Sequence, residues 1–73
     1  MNTTNAKIVI QDFLKDIRNR LDEAATVAKA AEACADAGNV TKAVEIALDV
    51  DQTLYEVTTL LNAASLINRI ADA

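Results

Sequence analysis

The stretch Ala35-Asp36-Ala37-Gly38-Asn39-Val40-Thr41-Lys42-Ala43 holds the only glycine in a chain of 73 residues that contains no proline. Glycine and proline are the main punctuators of chain direction, so a reversal is signalled here and nowhere else. Gly38 suits the left-handed conformation that ends a helix, and Asn39 suits the cap of the next. A connection this short joins antiparallel neighbours.

On the N-terminal side of the break, Ile10, Leu14, Ile17, Leu21, Ala24, Ala28, Ala31 and Ala35 alternate steps of four and three, a heptad seam. Phe13, Val27 and Cys34 border it. The opposite face carries Asp12, Lys15, Asp16, Asn19, Asp22, Glu23 and Lys29, with Asp16 and Arg20 in the favourable i,i+4 order. After the break the pattern resumes at Val40, Ala43, Ala47, Val50, Leu54, Val57, Leu61 and Ala64, bordered by Ile46, Leu60 and Ile67. Thr53 and Glu56 stand at capping-box spacing, which would open a separate third helix. The heptad phase crosses residues 49–53 without a slip, so the second helix is expected to be continuous.

The expected architecture is therefore all-α: a single domain over 1–73, a long antiparallel two-helix hairpin. Helix 1 is expected at about 5–37, the turn at 38–39 and helix 2 at about 40–71. Thr3, Thr4 or Asn5 is the expected cap of helix 1. Folding at the turn sets Ala24 near Leu54 and Ile17 near Leu61. Glu32 and Asp36 have the wrong sign for the C-terminal end of a helix dipole.

Composition narrows the class further. A hydrophobic content of 52% excludes a disordered chain, and much of it is alanine, which favours helix and close packing. A chain this short buries a small fraction of its surface and relies on disulfides, metals or oligomerisation for support. Cys34 is the only cysteine and histidine is absent, so an internal disulfide and a histidine-based metal site are ruled out. Self-association remains, and two hairpins forming a four-helix bundle are the expected homodimer. Helix 2 also carries Val44, Leu48, Tyr55, Leu66 and Ile70 off its seam. One partner helix cannot cover all of these, so they are the expected oligomer or partner interface, with a protein partner as the other possible occupant.

The formal net charge is −4. Residues 1–39 hold five basic and six acidic groups; residues 40–73 hold two basic and five acidic, so most of the negative field lies in the second half. That balance argues against non-specific nucleic-acid binding, which needs an excess of Lys and Arg. The longest uncharged run, 57–68, has 12 residues including Thr, Asn and Ser, too short and too polar to span a membrane. The opening residues lack the basic and apolar regions of a signal peptide. A cytoplasmic setting is the expectation, and a lone cysteine fits a reducing compartment.

Catalytic chemistry has little to stand on. Without histidine the commonest general base at neutral pH is missing, and one glycine cannot build a phosphate loop. No enzymatic activity and no cofactor or metal are expected. The acidic neighbours Asp12 and Asp16, Asp22 and Glu23, Glu45, Asp49 and Asp51 read as solvated helix surface. Cys34 reads as a small apolar residue beside the seam.

Two local likenesses bear on function. Gly38 to Leu48 resembles the inter-helix turn of a tetratricopeptide repeat, with Ala43 at the fitting position and Val40 where that family commonly has an aromatic. The family's period requires a second copy, and no second glycine exists to host one. The overall shape is similar to small antiparallel hairpins of the Rop type, which bind RNA from one helix face. That likeness implies Lys15, Arg18, Arg20 and Lys29 as an alternative RNA face on helix 1. The functional expectation is a non-enzymatic helical interaction module, a self-associating adaptor, regulator or chaperone-like accessory protein.

Overall fold

The computed structural model describes residues 3–72, of which two helices take up nearly all: α1, Thr3–Asp36, and α2, Val40–Asp72. They pack against each other as a hairpin with Cα extents of 54 × 14 × 10 Å. Helix α2 runs unbroken for 33 residues through 49–53, so Thr53 and Glu56 do not open a third helix. Helix α1 begins two residues before the expected start, which places Asn5 inside it rather than at its cap. The cap expected of the Thr3 or Thr4 side chain lies outside the described residues.

The reversal follows from the chemistry of Gly38 and Asn39. Gly38 takes φ +99°, the left-handed region. Its N–H donates to the Ala35 carbonyl at 2.9 Å, and the Asn39 N–H donates to the Cys34 carbonyl at 3.1 Å. These are the two bonds of a Schellman motif, and they satisfy carbonyls that the end of α1 would otherwise orphan. Asn39 then serves α2: its Oδ1 accepts from the Lys42 N–H at 3.1 Å and its carbonyl accepts from Ala43 at 3.0 Å. The Cys34 thiol donates to the Asn39 carbonyl at 3.5 Å, so it braces the turn as well as bordering the packed surface. No basic residue stands in the last turn of α1, and Arg69 stands in that of α2.

The packed seam is rotated from the expected one. Along α1 the covered residues that stand in line are Ala6, Ile10, Phe13, Ile17, Arg20, Ala24, Val27, Ala31 and Cys34, with Val9, Asp16 and Ala35 partly covered beside them. Along α2 they are Ala43, Ile46, Val50, Thr53, Val57, Leu60, Ala64, Ile67 and Ala71. Both series alternate threes and fours. Each keeps half of the expected seam and replaces the rest with the bordering set, so Phe13 stands in for Leu14 and Leu60 for Leu61. Leu14, Leu21, Ala28, Val40, Ala47, Leu54 and Leu61, all expected inside, are exposed. Four of the five buried alanines, Ala24, Ala31, Ala43 and Ala64, lie on both stripes and permit close approach with either one; the packed stripe is the one that brings Arg20 to a partner on α2.

Arg20 occupies a seam position, where a charge is least expected. Its Nε donates to Asp16 Oδ1 at 3.0 Å along α1, and its Nη1 donates to Glu56 Oε2 across the hairpin. The apolar stem lies along the seam while the guanidinium reaches its edge, the behaviour of a snorkelling side chain.

Candidate functional site

The rotation of the seam divides the hairpin surface into three kinds of face. In a heptad frame the residue after each second seam position lies on one flank of the hairpin, and the residue before each first position lies on the other. The first flank carries Leu14, Leu21, Ala28 and Ala35 of α1 with Val40, Ala47, Leu54 and Leu61 of α2. Leu14 is 50% exposed, Leu21 43%, Leu54 48% and Leu61 54%. No ionisable residue interrupts this flank from 14 to 35 or from 40 to 61; Lys7 and Asn68 stand at its open end. The second flank carries Val9, Asp16, Glu23 and Ala30 with Lys42, Asp49, Glu56, Ala63 and Ile70, and is acidic along its middle.

The third face is the outer side of α2. Leu48 and Tyr55, one heptad apart, are 65% and 70% exposed there, beside the exposed carboxylates Glu45, Asp49 and Asp51. Glu45 is paired with Lys42 at 3.6 Å. Of the five residues expected to form one interface, all are exposed. Val44 and Leu48, and Leu66 and Ile70, are i,i+4 neighbours along α2. Leu48 and Tyr55 share the outer stripe, Val44 and Leu66 lie to either side of it, and Ile70 belongs to the acidic flank. The four flank leucines were expected inside and so went unrecognised as surface. The signal that pointed to them was the second apolar stripe beside each seam.

The residues of the alternative RNA face are likewise dispersed. Lys15 and Lys29 lie on the outer stripe of α1 with Asp22 between them, Arg18 lies beside that stripe toward the Leu14 flank, and Arg20 is held in the seam by two carboxylates. No single strip of four cations results.

Two surface hollows occur among the described residues. One, about 310 Å³, lies at the open end between Ala6, Ile10, Asn68 and Ala71. The other, about 220 Å³, lies beside Arg20, Tyr55, Glu56 and Thr59. Lys7, Gln11 and Asp72 also line the first. Among the described residues no three His, Cys, Asp or Glu side chains converge as metal ligands, and no helix is long and apolar enough to cross a membrane. In comparisons with known protein families, curated proteins and solved structures, nothing matches this chain.

Proposed function

We propose that this chain is a non-enzymatic helical interaction module that works as a homodimer, two hairpins packed into a four-helix bundle. One observation carries the proposal: the residues buried within the hairpin are alanines, while Leu14, Leu21, Leu48, Leu54, Tyr55, Leu61 and other large apolar side chains are exposed. Burying a large apolar side chain contributes about 1.5–3 kcal/mol, and alanine much less. A hairpin of this length therefore leaves most of its apolar stabilisation unrealised until a further helical surface covers it.

Within the cell the module serves as an adaptor, regulator or chaperone-like accessory protein, with a reducing, cytoplasmic setting suited to the unpaired Cys34. A bundle presents rigid helix faces, the usual means by which helical modules hold protein partners. The RNA-binding alternative draws no support from the dispersed cations or from the net charge of −4, and RNA is expected to show no retardation with this protein even at low salt.

Size-exclusion chromatography with in-line light scattering tests the proposal. The expected mass is twice the 7.8 kDa chain mass. A monodisperse 7.8 kDa species at tens of micromolar protein overturns it.

A further inference from the structure

We infer that the surface covered by the second copy is the charge-free flank, centred on Leu14 and Leu21 of α1 and Leu54 and Leu61 of α2, and that Leu48 and Tyr55 stay outside the bundle. The inference rests on the self-association reading and selects the face. Four observations converge on it.

Charge is the first. In a two-fold dimer the same patch meets itself, so every uncompensated charge near its centre approaches another of its own sign. Arg20 answers Asp16 and Glu56 within the hairpin and Lys42 answers Glu45, but Glu23 and Asp49 would still meet carboxylates across the acidic flank, and Asp49 and Asp51 would do so beside the Leu48 stripe. The Leu14–Leu61 flank has no ionisable residue along its middle, and its border carries both signs, Arg18 and Glu32 on α1 and Asp51 on α2.

Size is the second. The hairpin is 54 Å long. The charge-free flank takes up about 32 Å of that length at 1.5 Å per residue, and with two helices each about 10 Å across it offers on the order of 600 Å², which approaches the roughly 800 Å² per partner of a standard interface. The outer stripe belongs to α2 alone and offers about half that width.

Third, this flank is continuous with the seam. Ile10, Ile17, Val50 and Val57 are only half-buried within one hairpin, and they lie between the seam line and the exposed leucines. A second copy on this side covers both sets at once and extends a core that the hairpin has only begun.

Fourth, both helices contribute equally to it, which is what a four-helix bundle demands of each hairpin. A copy seated on the outer stripe would leave Leu14 and Leu21 of α1 in water.

The test places one charge on each candidate face. Leu21→Glu and Leu54→Glu are expected to elute at the 7.8 kDa chain mass where the wild type is a dimer, and Leu48→Glu is expected to remain dimeric. Far-UV circular dichroism checks that helicity is kept. Nitroxide labels give a reading independent of the glutamate variants: in a Cys34→Ala background, a label at Leu61→Cys is expected to be immobilised and one at Leu48→Cys mobile. A dimeric wild type with dimeric flank variants overturns the face assignment alone, as does a mobile label at 61 with an immobilised one at 48. A wild type that is monomeric throughout overturns self-association, and this inference with it.

Discussion

At the scale of single residues, Gly38 and Asn39 organise the whole chain. Gly38 holds φ +99°, and a Cβ built on it meets nothing within 4 Å. Substitution there is strained by the backbone conformation and not by crowding. Gly38→Ala is expected to lower stability by about 1–2 kcal/mol, the cost of a left-handed conformation for an L-residue. Gly38→Asn should lose less, because asparagine tolerates that region better. Thermal melting of the three proteins at one concentration checks the order. Asn39→Ala removes the oxygen that accepts the Lys42 N–H, and is expected to cost about 1 kcal/mol in the same assay. Arg20 shows the limit of residue-level reading. A cation belongs on the wet face by composition, and only the positions of Asp16 and Glu56 make its place in the seam tolerable.

At the scale of the elements, the question is which stripe of each helix turns inward. The alternation of threes and fours fits two stripes that share Ile10, Ile17, Ala24 and Ala31, one passing through Leu14 and Leu21, the other through Phe13, Arg20 and Val27. Larger side chains favour the first stripe. The packed hairpin uses the second, and the charged bridge between α1 and α2 lies along it. Arg20 and Glu56 side chains are each 35% exposed, so solvent screens their attraction. A double-mutant cycle with Arg20→Met and Glu56→Gln is expected to give a coupling of roughly 0.2–1 kcal/mol, falling as salt rises. A coupling that is absent at low salt would mean that this pair does not hold the two helices in register.

At the scale of the whole molecule, stability and assembly are expected to be one property. If the large apolar side chains are covered only in the dimer, folding is linked to association by mass action. The melting temperature should then rise with protein concentration, by several degrees for a tenfold increase, since tenfold corresponds to about 1.4 kcal/mol of dimer and each kcal/mol moves a cooperative unit of two such chains by roughly 2–4 °C. Melts at two concentrations tenfold apart check this. Superimposable curves would mean that the hairpin is stable by itself, despite its alanine core.

Much of the fold was legible before any coordinates. A lone glycine, the absence of proline and an unslipped heptad phase were sufficient for two long antiparallel helices and for the position of the turn, because each of these acts through the backbone within a few residues. The continuity of α2 through 49–53 was legible for the same reason. The inward stripe was not. Phe13 and Leu14, or Leu60 and Leu61, are neighbours on a helix surface, and nothing local tells which will face a partner. That choice was made when the two helices met: the alanines common to both stripes permit close approach either way, and the Arg20 bridge to Glu56 belongs to the packed one alone. The proposed dimer face depends on the same choice, because it is the flank that this seam leaves uncovered on both helices.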